Sequence, residues 1–239
     1  MKPSRAEIKL IKSLEKRKFR EETSLFVVEG EKLVEEVLKS DFSIEKIYRK
    51  EEIGEDMMSR ITHLSSPSPV LAVVNIPGKE KIVVPSKEGF YIVLDSIKDP
   101  GNLGTIIRLS EWFGIDAIYC SPDSVDVYNS KVVQATMGSL FRMSVIYTPL
   151  DKLIEASLDS GIQVYGTFLE GSSIYSSSLP HNAMVVMGNE SEGISPSVSS
   201  LINNKIHIPN FCKEYYGAES LNVAVATAVI CSEFRRSSV

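Results

Sequence analysis

Only three cysteines, Cys120, Cys212 and Cys231, occur in the 239 residues, and no two have metal-type or redox-type spacing. They read as reduced structural thiols, and no metal site is expected. Long apolar runs are also missing. The longest, such as Leu221 to Cys231, is too short to span a bilayer, which needs about 20 residues. The chain opens polar, with Met1-Lys2-Pro3-Ser4-Arg5, and lacks the apolar stretch of a signal peptide, so a cytoplasmic protein is expected. The Gly-x-Gly-x-x-Gly loop of dinucleotide-binding folds is absent, which disfavours a nicotinamide oxidoreductase. The three histidines, His63, His181 and His207, are scattered, and none is assigned a catalytic role.

What is present is enough for a core. Apolar residues make up 43% of the chain and charged residues 24%, so it is not disordered and can hold one large domain or two modest ones. The net charge of −5 does not by itself suggest a nucleic-acid partner. Read locally, it does. Residues 1–20 carry eight basic groups opposed only by Glu7 and Glu15. Such a stripe is the electrostatic footprint of phosphate-backbone binding, and Lys12, Lys16, Arg17, Lys18 and Arg20 are the candidates. The ordinary alternative is a solvated helix face.

A composition break divides the chain. Ile8, Leu10, Ile11 and Leu14 place a helix over residues 5–20. Strands at Leu25–Val28, Ile44–Tyr48 and Val70–Val74, with a helix over residues 31–39, make a small α/β unit over residues 1–78. Gly, Pro and Lys residues mark a linker over residues 79–89. From Phe90 to residue 239 strands and helices alternate. Tyr91–Leu94, Ala117–Cys120, Ser144–Tyr147, Gln163–Phe168, Ala183–Met187 and Lys205–Ile208 read as strands. Helices are expected over residues 103–113, 132–140, 150–160 and 220–234, with Trp112 packed in the core. This rhythm argues a mostly parallel sheet covered on both faces.

Three short segments carry the chemistry: Asn102-Leu103-Gly104 with Arg108, then Gly188-Asn189-Glu190-Ser191-Glu192-Gly193, then Glu219-Ser220-Leu221-Asn222. Each follows a strand-like run and leads toward a helix or turn, where α/β sheets present ligand-binding loops. Glycine permits close backbone approach, asparagine both donates and accepts, and Arg108 is a fixed cation. Read singly, the same residues are also turn formers, loop charges and a helix cap.

The runs Asp99 to Arg108, Gly188 to Ser195, and Ile208-Pro209 with Glu219 to Ala226 resemble the three motifs of the SpoU (TrmH-type) RNA ribose 2′-O-methyltransferases of the SPOUT superfamily. The resemblance covers about residues 90–236. Residues 4–76, with Phe26-Val27-Val28-Glu29-Gly30, resemble the small ribosomal-protein-like RNA-binding domain that precedes the catalytic domain in many members. It implies an α/β fold whose C-terminal parallel-sheet domain contains a deep trefoil knot, a topology that general rules nearly exclude. It also implies a homodimer and S-adenosylmethionine as cofactor. Cofactor contacts would come from Thr167, Phe168, Leu169, Met187, Gly188, Asn189, Ile208, Pro209, Ser220, Leu221 and Asn222. Catalytic work would fall to Asn102, Arg108, Glu190, Ser220 and Asn222, acting on a ribose hydroxyl of structured RNA, with ribosomal RNA favoured.

One departure is the stretch Asn210 to Ala218, longer than is usual in the family. It reads as a lid, an RNA contact through its aromatics, or a loop extension. Two other functions fit the same residues: a non-catalytic RNA-binding or ribosome-assembly protein, and a methyltransferase acting on transfer RNA.

Overall fold

The computed structural model describes residues 2–78, 84–212 and 220–236. Glu219 of the third segment, and Lys213 to Ala218 of the long stretch before it, lie outside the described residues. The chain divides into two compact units, residues 1–80 with 126–142, and residues 81–125 with 143–239.

In the first unit the helix expected over residues 5–20 is two helices, α1 (Arg5–Ser13) and α2 (Arg17–Thr23). Ser4 and Glu7 form a capping box that starts α1. The break follows from Arg20, whose Nη1 donates to the carbonyls of Leu14 at 2.7 Å and Glu15 at 2.9 Å. Those carbonyls lie at the end of α1, where helical partners run out. Strands β1 (Leu25–Glu29), β2 (Ile44–Arg49) and β3 (Val70–Asn75) form an antiparallel sheet in the order β1-β3-β2. Between them lie α3 (Glu31–Leu38), α4 (Lys50–Ile53) and α5 (Glu55–Ile61). Ile11, Leu14, Val27, Tyr48, Met58, Ile61 and Leu71 pack into one core. Glu29 is buried in this unit, and its carboxylate is satisfied by Thr62 Oγ1 at 2.5 Å and His63 N–H at 2.6 Å.

The second unit opens with β4 (Tyr91–Leu94), α6 (Pro100–Trp112) and β5 (Ala117–Cys120). The chain then contributes residues 126–142 to the first unit, where α7 (Ser130–Thr136) lies against β1 and Gln134 Nε2 donates to the Glu29 carbonyl at 2.8 Å. The helix expected to reach Leu140 stops at Thr136, because Met137 and Gly138 take φ of 52° and 101°. A 3-10 turn, Ser139–Phe141, follows.

β6 (Val145–Tyr147), α8 (Leu150–Asp159), β7 (Val164–Ser173), β8 (Met184–Met187), α9 (Pro196–Ser199), β9 (Asn204–His207) and α10 (Val223–Arg236) complete the second unit. Its six strands are parallel throughout, in the order β6-β5-β4-β8-β7-β9. β4, β5 and β8 are buried along their whole length, as continuous apolar runs in a doubly covered sheet should be. β7 runs on to Ser173 rather than ending at Phe168, and its pairing with β9 is irregular between Thr167 and Ser172.

Helices α6 and α10 pack together. Phe234 of α10 stacks on Phe90 at 5.2 Å and meets Tyr165 edge-on at 5.3 Å. Burial beside them pushes the Cys231 thiol up to about 12. Arg235 closes the far end of α6, donating to the carbonyls of Phe113 at 2.9 Å and Gly114 at 2.6 Å. Trp112 does not pack in the core: it is 86% exposed. It shares an exposed stripe of α6 with Gly101, Thr105 and Arg108, at helical spacing.

Candidate active site

Strand register aligns the carboxyl ends of β4, β8 and β9 with the middle of β7. Leu94 of β4 is level with Met187 of β8, Val186 with Gly166 of β7, and Thr167 with Ile206 of β9. Asp95, Gly188 and Ile208, the residues that follow β4, β8 and β9, therefore come level with Phe168, where the β7–β9 pairing is interrupted. This is the edge at which open α/β sheets bind ligands.

The first segment lies in the opening turns of α6 and not in a loop. Asp99 caps the helix, accepting from Asn102 N–H at 2.8 Å, and Pro100 supplies the fixed φ suited to the first turn. Asn102 is thereby held with its side chain toward the second and third segments. Its Nδ2 donates to Glu190 Oε1 at 2.6 Å, and its Oδ1 accepts from Asn222 Nδ2 at 2.8 Å. The amide flip is fixed by this pairing, since only a donor can face a carboxylate. Asn222 in turn caps α10, accepting from Ala224 N–H at 3.0 Å and Val225 N–H at 3.3 Å. Glu190, Asn102 and Asn222 thus form one hydrogen-bonded chain through all three segments.

The second segment is a tight loop. Asn189 and Gly193 pair through reciprocal backbone hydrogen bonds of 2.9 and 3.0 Å. Asn189 Oδ1 accepts from Ser191 and Glu192 N–H groups, and its Nδ2 donates to the Ser96 carbonyl at 2.7 Å. Its side chain is therefore occupied in shaping the loop. At Gly188, an added Cβ would stand 2.3 Å from Gly193 C and from Ile194 N. Only glycine fits.

Four supporting residues, Asp95, Ser96, Lys98 and Asp123, are not among those the sequence singles out. Asp95 is 4% exposed and accepts from Ser195 N–H at 2.7 Å, fixing the loop's far end. Ser96, at φ 58°, donates its hydroxyl to Asp123, and Lys98 Nζ also meets Asp123, both at 2.6 Å. Lys98 first, then the Ser121 and Ser96 hydroxyls, hold the Asp123 carboxyl well below the usual range. An aspartate directly after an apolar strand was the available signal for Asp95.

Arg108 is not drawn into this chain. It is exposed, and among the described residues it makes no hydrogen bond or ion pair. Six helical residues beyond Asn102, it lies about 9 Å along the axis and on a different face. Ser220 and Leu221 are exposed just ahead of α10. Thr167 Oγ1 donates to the Val186 carbonyl at 3.1 Å. Phe168, Ile208 and Pro209 are half-buried, and Leu169 is exposed.

In the first unit, Lys12, Lys16, Arg17 and Lys18 reach solvent. Lys12 Nζ donates to the Thr62 carbonyl at 2.5 Å, while Arg17 and Lys18 pair with Glu21 and Glu22. Arg20 corrects the expectation that it contacts RNA. It is 3% exposed, and its Nε donates to Asp126 Oδ2 at 2.7 Å. It is a buried structural cation.

Residues 89–232 match the model of the SpoU rRNA methylase family. The chain belongs to that family. Residues 5–73 also match the MRM3-like substrate-binding domain. A relative in Bacillus subtilis, the 23S rRNA (guanosine(2553)-2′-O)-methyltransferase RlmP, is 32% identical over 94% of both chains. A structure assigned to the TrmH family from Porphyromonas gingivalis is 36% identical, with a TM-score of 0.88 over 99% of this chain and all of that one. An AdoMet-bound rRNA methyltransferase from Sinorhizobium meliloti is 29% identical, with a TM-score of 0.85 over 97% of this chain and 95% of the other. All three segments lie within the residues that match the SpoU model.

Proposed function

We infer that this chain is an S-adenosylmethionine-dependent methyltransferase that modifies a ribose 2′-hydroxyl in ribosomal RNA. The observation that carries the reading is the Glu190–Asn102–Asn222 chain, which ties all three family motifs into one site. The residues assigned to the cofactor suit it. Thr167 to Leu169, Met187 to Asn189, Ile208-Pro209 and Ser220 to Asn222 carry no positive charge that would repel a cationic sulfonium. Leu169 and Leu221 expose apolar side chains that a purine can cover, being 74% and 51% exposed. The bare main chain at Gly188 leaves room for close approach.

When bound, the cofactor supplies an already activated methyl group, so the protein has to align the attack and manage the hydroxyl proton. Arg108 holds its own proton too strongly to act as a base. Its fork stabilises the developing alkoxide and clamps the adjacent phosphate. Glu190, Asn102 and Asn222 position the loops around the reacting atoms, and Ser220 orients the substrate. A pH–rate profile of Arg108→Lys tests this division: full activity in the variant removes the need for a planar fork.

The chain passes from β9 at the sheet edge back to Asn102 near central β4, which favours a trefoil knot between them. The exposed stripe of Arg108 and Trp112 on α6, with Val225 on α10 at 51% exposure, is the proposed homodimer face that completes the site. The first unit, with Lys12, Lys16, Arg17 and Lys18, is the proposed RNA-binding domain, in a cytoplasmic enzyme. Calorimetry with S-adenosylmethionine tests the enzymatic reading against a non-catalytic RNA-binding role, since only the enzyme needs the cofactor.

A further inference from the structure

Two aromatic rings unused by that reading face solvent at the end of β7 and β9. Phe211 is 79% exposed and Tyr175 48%, with ring centroids 6.3 Å apart and planes tilted by 33°. Both are anchored from the backbone. Tyr175 follows Ile174, which is fully buried and donates its N–H to the His207 carbonyl at 3.1 Å. Tyr175 N–H itself donates to Ser173 Oγ at 3.3 Å. Phe211 follows Pro209 and Asn210 in a turn closed by Cys212 N–H donating to Asn210 Oδ1 at 2.8 Å. The same two strands line a shallow hollow of Phe168, Leu169, Glu170, Gly171 and Lys205. There the exposed Lys205 ammonium stands 4.8 Å from the Phe168 ring centre.

Large rings held in water by ordered backbone are poised for a flat partner. Unpaired RNA bases are recognised mainly by stacking on aromatic side chains, with cations on the neighbouring phosphates. We propose that Phe211 and Tyr175 form a stacking platform for an unpaired base beside the methylated nucleotide, with Lys205 facing the RNA backbone. The proposal rests on the functional reading above, since Phe211 stands just past the Ile208-Pro209 cofactor segment.

The test uses the full chain with Phe211→Ala, Tyr175→Ala and Phe211→Trp, and ribosomal RNA transcribed in vitro. The KM for RNA should rise about tenfold or more in each alanine variant, as loss of one stacked base implies. The kcat and the Kd for S-adenosylmethionine should stay within about twofold of the parent, and Phe211→Trp should restore the KM. An unchanged KM overturns the platform. So does a weakened cofactor Kd, which would make the rings a cover for the adenine, or a changed sedimentation coefficient, which would make them a contact between copies. If the parent transfers no methyl group, the functional reading fails by itself. Filter binding of the same RNA then decides the platform: about tenfold weaker binding by Phe211→Ala supports it, and equal binding refutes it.

Discussion

Asn222 donates its side-chain amide to Asn102 across 120 residues of sequence, at 2.8 Å, and Asn102 passes the polarity on to Glu190 at 2.6 Å. Asn102→Asp turns the donor facing Glu190 into a second carboxylate, a like-charge contact. Methyl transfer should fall by about 100-fold through misalignment, with the fold intact because the position is half-exposed. Asn222→Ala removes the hydrogen bond to Asn102 and the α10 cap. It should cost about 1 kcal/mol and lower the Tm by about 3 °C. Activity assays paired with thermal unfolding separate the two.

Gly188 and Gly193 bound one loop but should tolerate alanine differently. A Cβ at Gly188 would collide with backbone 2.3 Å away, whereas at Gly193, with φ 71°, it would meet nothing within 4 Å. Gly188→Ala should therefore cost about 2 kcal/mol or more and weaken cofactor binding. Gly193→Ala should cost about 1 kcal/mol, from its left-handed backbone alone. Denaturant unfolding with calorimetry checks the order.

Arg20 and its neighbours on the basic segment should separate into two classes. Breaking the buried pair by Arg20→Ala or Asp126→Asn should cost about 3–5 kcal/mol, because a desolvated charge is left alone. Lys16→Ala and Lys18→Ala should leave stability within about 0.5 kcal/mol. Each that meets a phosphate should reduce the salt slope of RNA binding by about 1. Binding measured across a salt series, beside melting curves, gives both readouts.

Glu7 offers a pH test of the first unit. Its ion pair with Lys46, helped by Ser4, lowers its pKa from the usual 4.5 to about 2. The folded value lies below the unfolded one, so this contribution is present above pH 4.5 and is lost as pH falls toward 2. Glu7→Gln should lack that part of the acid destabilisation. Thermal unfolding across this window, in both proteins, measures it.

The parallel sheet was legible because its central strands are short continuous apolar runs, Tyr91–Leu94, Ala117–Cys120 and Met184–Met187. The break within residues 5–20 was not legible, since Arg20 is buried by Asp126, 106 residues away. Nor was the placement of residues 126–142 in the first unit, which no local pattern encodes. Trp112 misled because helical spacing assigns a residue to a stripe without saying whether that stripe is covered. The three site segments were visible as polar, glycine-bearing breaks after strands. Their hydrogen-bond order was not, because it depends on strand register and on α10 returning to α6.

Ribose-methylation mapping of total ribosomal RNA, from cells with and without this protein, is the decisive measurement of its activity. One 2′-O-methyl group should disappear with the protein and return with the parent chain but not with Asn102→Asp. A methylation map unchanged by the protein's loss would contradict that activity.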